Sequence, residues 1–312
     1  MSSRSSVPSL APEGAVNAPV FILGAPRSGT SLIYKALCLH PGAAYISNWV
    51  RRFPGLPALA ALNRVGRHFP KLVESSWFER DGNAYVYGST RSLVRRLFPM
   101  PVEGEPVFRR CGIAEDGFDS QSLDEPSISL RHTISRLRRF SGGQVFVSKR
   151  IANNRRIPLL VEAFPDARFV NTVRDGRAVA VSLAKVDWWS DSLIWWCGKT
   201  PRQWREDGSD PWELCAREWV ENLREIDEGL HAVPPGQILH MTYEELVADP
   251  ITTLKKLGQF AELPTCAAWE DWLSTLRFPN RNGAWTADLG PDIIQQIESI
   301  QREQLIRYGY LS

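Results

Sequence analysis

The sequence predicts an α/β fold: a three-layer sandwich in which helices cover a central parallel sheet. Three observations predict it. A short apolar run breaks into a glycine-bearing turn and then a helix over residues 19–40. A strand–helix–strand pattern fills residues 144–173, and a further strand leads into a helix near residue 243. Short apolar runs without polar alternation suit strands that are covered on both faces.

Residues 1–18, rich in Ser, Pro and Ala, are expected to be a disordered segment ahead of a single domain over 19–312. The first strand is 19–23. After it, SLIYKALCLH sets Leu32, Ile33, Ala36, Leu37 and Leu39 on one helix face, and His40-Pro41-Gly42 stops that helix. Residues 144–148 give a second strand, 156–164 a helix closed by Pro165-Asp166, and 168–173 a third strand. This succession implies parallel pairing through a right-handed crossover. Another helix starts near Gly176, 237–241 is a fourth strand running into a helix at Tyr243, and 291–308 is a terminal amphipathic helix. Residues 51–139 and the Trp-rich stretch 188–219 read as helical insertions that cover a ligand site.

The charge balance, 37 basic against 35 acidic side chains, argues against nucleic acid or an anionic membrane as the partner of the whole chain, while a local basic pocket stays open. Five scattered cysteines show no metal-ligand spacing, so free thiols in a reducing, cytoplasmic setting are expected, with no metal. The N-terminus lacks the apolar core of a secretory signal. No stretch approaches the ~20 apolar residues of a membrane span, so no transmembrane anchoring is expected.

The chemistry concentrates in GAPRSGTS, residues 24–31. Gly24 and Gly29 hold the glycine spacing of a Walker A loop, but Thr30 stands where that loop has lysine, and Arg27 lies inside the turn. A tight turn from strand to helix aims backbone N–H groups and the positive helix end at one spot. Ser28, Thr30 and Ser31 add hydroxyls there, and Arg27 adds a cationic fork. The loop alone leaves kinases, NTPases and other phosphate binders open. Farther on, VRDGRAVAVSL puts Arg174 at the carboxyl end of a strand, with Ser182 just over two helical turns later. Such a pair suits a second phosphate; the competing reading pairs Arg174 with Asp175 and packs Ser182 away.

With both motifs on view, the chain resembles bacterial-type sulfotransferases that use 3′-phosphoadenosine 5′-phosphosulfate (PAPS), proteins of P-loop NTPase-like fold. PRSGTS resembles their 5′-phosphosulfate loop, which implies that Arg27, Ser28, Gly29, Thr30 and Ser31 bind nucleotide. RFVNTVRDGRAVAVSL resembles their 3′-phosphate motif, implying that role for Arg174 and Ser182. FVSKR is similar to the segment carrying a lysine near the transferred group, here Lys149, which with Arg27 is implied to be catalytic. MTYEELVADP puts Tyr243 by the nucleotide, and NRNGAW is a looser match that assigns Arg281 and Gly283 to the 3′-phosphate. The resemblance implies in-line sulfuryl transfer to a hydroxyl or amine of a small-molecule, glycan or lipid-like acceptor, with PAP as product and no metal. A donor without a γ-phosphate needs no Walker lysine. The alternatives are a P-loop kinase or NTP-binding enzyme and a non-catalytic nucleotide-binding module.

The general base stays unassigned. Related enzymes acting on protein tyrosine place a glutamate soon after the first helix's His-Pro turn, where this chain has Ser47 and Asn48. His68, Glu79, Glu103, Glu105 and His132 are candidates in the insertion. Trp188, Trp189, Trp195, Trp196 and Trp204 are read as leaning toward an acceptor cleft. Arg91, Arg95, Arg96, Arg109 and Arg110 are read as a solvated basic face.

Overall fold

Pro19 and the four apolar residues after it open the ordered chain. The computed structural model describes residues 17–69, 72–73, 77–78, 97–114, 124–275, 278 and 280–312. Residues 1–16 of the expected disordered segment, together with Glu79, Arg91, Arg95, Arg96 and the His68 side chain, lie outside the described residues.

Val20-Phe21-Ile22-Leu23 form β1, buried at every position. A strand this apolar needs a neighbour on each edge and cover on each face. The sheet supplies both, with strand order β2-β3-β1-β4-β5 and every pair parallel. Here β2 is Ala43–Ala44, β3 Val145–Lys149, β4 Arg168–Val173 and β5 Ile238–Thr242. Phe21 faces Ser148 on one side and Phe169 on the other in the register, and its ring stacks on that of Phe169 at 5.9 Å.

The strand–helix–strand reading over 144–173 needs one correction. Its two strands, β3 and β4, are parallel members of one sheet, but they flank β1 rather than each other. The crossover therefore passes over β1, whose four large apolar side chains claim the central slot. The sheet also has a fifth strand: β2, two alanines pairing with Val145 and Phe146, is too short to show in a sequence pattern.

Helices α1 (Thr30–Cys38), α2 (Asn48–Arg52), α3 (Asn63–His68), α4 (Glu105–Arg110) and α5 (Asp124–Ser141) lie between β1 and β3, interrupted by β2. Helix α6 (Ile157–Ala163) joins β3 to β4. After β4 come α7 (Gly176–Ala184), α8 (Pro201–Glu206) and α9 (Pro211–Leu230), and after β5 come α10 (Tyr243–Ala248), α11 (Pro250–Phe260), α12 (Ala267–Thr275), α13 (Trp285–Asp288) and α14 (Pro291–Arg307). The main core runs from the sheet onto α1, α5, α6 and α11; a second cluster joins Ala180 and Leu183 of α7 to Leu214 of α9 and Ile297 of α14.

The long helix α9 was hidden in the Trp-rich stretch. Its buried Leu214, Trp219, Leu223, Ile226 and Leu230 recur at helical spacing, and Asp210 caps its start by accepting from Trp212 N at 2.7 Å. His40 has the structural role expected of a helix stop: its ring accepts from Gly42 N at 2.9 Å and meets Pro264 O at 2.8 Å. The five cysteines are free thiols.

Candidate active site

Strand β1 ends at a turn with three residues at positive φ. Gly24 has φ 150° and Gly29 φ 84°, and Arg27 takes φ 69°, a left-handed conformation that disfavours side chains by ~1–2 kcal/mol. A Cβ at Gly24 would lie 2.5 Å from the Thr172 carbonyl, and one at Gly29 would lie 2.7 Å from the Tyr243 ring. Gly29→Ala should therefore destabilise the protein by ~1–2 kcal/mol and displace that ring, which thermal unfolding and Tyr fluorescence would read.

Gly29 is also the N-cap of α1, and among the described residues no side chain caps that helix start. The hydroxyl Oγ of Ser28 is fully buried beside it and has no hydrogen-bond partner among the described residues. Thr30 and Ser31 are buried in the first turn. An uncapped helix start next to an orphaned hydroxyl fits a bound oxyanion, because such a group would satisfy both.

The other predicted residues converge on this turn from β4 and the chain's end. Arg27 Nε donates to Ser182 Oγ at 2.9 Å. Arg174 Nη1 donates to Arg27 O at 2.9 Å, its Nε to Asn282 Oδ1 at 3.1 Å and its Nη2 to Arg281 O at 3.3 Å. The guanidinium sits 4.3 Å from the Tyr243 ring centre. Burial lowers the Arg174 pKa, an effect that Tyr243 and Glu244 oppose. The competing pairing with Asp175 is not the one formed, because Asp175 caps α7 and holds Arg177 through both carboxylate oxygens. The Arg281 contribution to Arg174 is its carbonyl, with the side chain exposed. Gly283 lies in the following turn, with open space where a Cβ would be.

Lys149 closes β3 on the opposite edge of β1, in register with Ile22. Cations thus stand on both strands that flank the loop. Lys149 is 3% exposed and ion-pairs with Glu103, whose other oxygen takes Arg150 Nη1 at 2.7 Å. Glu105 is held by Arg150 at 3.0 Å and by Arg156 at 2.8 Å. Of the candidate bases, Glu103 therefore lies at the Lys149 amine. Burial pushes its carboxyl up, but the charges and hydrogen bonds of Lys149 and Arg150 outweigh this and bring it down to about 2. So low a value makes Glu103, while paired, an anion that positions Lys149 rather than a proton acceptor.

Because that value lies below the ordinary 4.5, the pair stabilises the fold above about pH 4.5 and loses its contribution as the pH falls toward 2. Glu103→Gln should cost about 3 kcal/mol at neutral pH and flatten the acid limb of a stability–pH curve.

Sequence reasoning missed the support beneath the loop. Asn154 clamps Gly24 from both sides: its Oδ1 accepts from Gly24 N at 3.2 Å and its Nδ2 donates to Gly24 O at 3.1 Å. It also donates to Asn222 Oδ1 at 2.8 Å, and Asn222 donates to Glu218 Oε1 at 2.8 Å. Trp196 Nε1 donates to the other Glu218 oxygen at 2.7 Å, and burial raises the Glu218 pKa to about 7. The Asn-Asn pair after Lys149 was the available signal.

The tryptophans also need correction. Trp189 is buried on Leu183 and Leu214, and Trp196 and Trp204 pack on the same cluster, because α9 offers them a continuous apolar face. Only Trp188 among the five is exposed. Ser47 and Asn48 are structural: Ser47 bridges Pro101, and the Asn48 side chain donates to Phe98 O and accepts from Met100 N.

Fold and site together define an α/β protein of P-loop-like architecture, with a glycine-bearing turn before α1 and cations gathered at the carboxyl ends of β1, β3 and β4. The chain belongs to the sulfotransferase family, whose model matches residues 19–271. Among curated proteins, the omega-hydroxy-beta-dihydromenaquinone-9 sulfotransferases Stf3 of Mycobacterium bovis and Mycobacterium tuberculosis are 24% identical over 267 residues, 77% of this chain and 62% of theirs. The chain thus spans less than two thirds of the length of these curated relatives. Sulfotransferase STF9 of Mycobacterium avium shares the fold with a TM-score of 0.60 at 19% identity, covering 95% of this chain and 78% of its own. STF1 of Mycobacterium tuberculosis follows at 0.54 and 16% identity, with 92% and 76% covered. Among the described residues no helix is long and apolar enough to cross a membrane.

Proposed function

We propose that this chain transfers a sulfuryl group from PAPS to the hydroxyl of a lipid-like small molecule, releasing PAP. The observation that carries the reading is the convergence of Arg27, Ser182, Arg174 and Tyr243 on the uncapped start of α1. The cradle of Ser28, Gly29, Thr30 and Ser31 receives the 5′-phosphosulfate, and Arg174 with Ser182 receives the 3′-phosphate. Tyr243 borders the base, and the turn carrying Arg281 and Gly283 closes over the 3′ end. Lys149 and Arg27 stabilise the negative charge that grows on the oxygen bridging sulfur and phosphate as that bond breaks and the acceptor oxygen bonds to sulfur. Thr30 in place of the Walker lysine speaks against a kinase.

The curated relatives, named as sulfotransferases of omega-hydroxy-beta-dihydromenaquinone-9, support this acceptor class. Labelled-sulfate transfer from PAPS to terminally hydroxylated isoprenoid quinones, compared with sugars and simple phenols, tests it. Label on the quinone is the expected result, and label only on sugars or phenols would overturn the acceptor class. In calorimetry PAP should bind. Binding of ATP with no binding of PAP would favour an NTP-using enzyme, and PAP binding with no transfer to any hydroxyl or amine a non-catalytic module.

A further inference from the structure

We propose that the face formed by α2 and the residues that follow it docks on an anionic lipid surface. The near-neutral total charge hides a strong local asymmetry. No Asp or Glu occurs between residues 14 and 73, whereas Arg51, Arg52, Arg64 and Arg67 all fall there. Within that acid-free span, α2 ends in Arg51-Arg52 and runs straight into Phe53.

Large apolar side chains stand in the open at this place. Phe53 is 42% exposed, Leu56 56% and Leu97 57%. Single exposed apolar residues are ordinary on protein surfaces, but these three are tied together. Leu97 O accepts from Trp49 Nε1 at 2.7 Å, Phe53 N donates to Trp49 O at 3.0 Å one helical turn on, and Leu56 N donates to Phe53 O at 2.9 Å. The cations border the same residues. The Arg52 guanidinium lies 5.7 Å from the Phe53 ring centre, and a Cβ on Gly55 would lie 3.4 Å from Arg110 Cζ. Arg51, Arg52 and Arg110 are exposed.

A protein partner for such a face would need a matching acidic and apolar surface. A bilayer with anionic headgroups offers both chemistries in one layer: headgroups meet the arginines, and Phe53, Leu56 and Leu97 enter the acyl boundary. One stretch of chain links this face to Lys149. The segment that bears Leu97 continues through Met100 and Val102, pinned to Asn48 and to Ile46 O at 3.0 Å, and reaches Glu103 on Lys149. The docking itself is independent of the donor assignment.

Co-sedimentation of the full chain with vesicles of phosphatidylglycerol and phosphatidylcholine, and with vesicles of phosphatidylcholine alone, tests the proposal. The protein should partition onto the anionic vesicles, less so at high salt, because exposed charges are screened within a Debye length. Arg51→Gln/Arg52→Gln should lower the partition coefficient roughly tenfold or more, and Phe53→Ser/Leu56→Ser should lower it by at least a similar factor. Far-UV circular dichroism and thermal melting show that both variants are folded. Absence of the wild type from both vesicle pellets would overturn the proposal, as would equal binding by either double variant. So would a dimer in sedimentation velocity that Phe53→Ser/Leu56→Ser dissociates, since the face would then belong to a second copy. None of these measurements uses PAPS, so failure here leaves the transfer reading standing, and lack of transfer leaves the docking result standing.

Discussion

Lys149→Ala is expected to slow sulfuryl transfer by about 100- to 1000-fold, the usual loss when a fixed donor at a developing oxyanion is removed. PAP affinity should change far less, because the bridging oxygen carries its extra charge only during the reaction. The structure adds a complication that the experiment must separate. Lys149 is buried against Glu103, so alanine removes one of the cations that hold that carboxylate and lowers stability as well. Single-turnover rates measured at saturating PAPS, on protein shown folded by its melting curve, isolate the chemical step. Glu103→Gln provides the control: it disturbs the same ion pair but keeps the amine, so its rate loss should be smaller. Equal single-turnover rates for Lys149→Ala and wild type would remove Lys149 from the mechanism.

Most of the candidate cradle could be read from the chain because local geometry encodes it. Gly24 and Gly29 announce a tight turn at two positions where a side chain does not fit, and Arg174 sits at a strand end that an apolar run predicts. What escaped was long-range. Asn154 looks like one polar residue among several after Lys149; nothing local says that it will clamp Gly24, 130 residues earlier in the chain. Glu103 sits in a segment of irregular sequence and gains meaning only when Asn48 and Ile46 fasten that segment beside β3. The tryptophans misled for a related reason. Aromatic side chains carry the same sequence signal in a cleft and in a core, and the cluster that buries Trp189 is completed by Leu214 of α9 and, over a hundred residues later, Ile297 of α14. Strand pairing order failed likewise: a crossover over β1 and a crossover to an adjacent strand have the same local sequence.

Arg174→Ala should weaken PAP binding by about 10- to 150-fold, since losing a charged hydrogen-bond partner costs about 1.5–3 kcal/mol. Affinity alone cannot assign the cause, because Arg174 also holds Arg27 O, Arg281 O and Asn282 and lies on the Tyr243 ring. A purely structural role would loosen the whole cradle and weaken every adenine nucleotide alike. A direct role at the 3′-phosphate acts only on ligands that carry that group. The deciding quantity is therefore the ratio of PAP to AMP affinity. Wild type should prefer PAP strongly, and Arg174→Ala should shrink that preference while AMP binding changes little. Arg174→Lys should restore part of it, since a point charge returns without the two-pronged guanidinium. An unchanged PAP-to-AMP ratio in Arg174→Ala would overturn the assignment and leave Arg174 as a brace between the loop and the Asn282 turn.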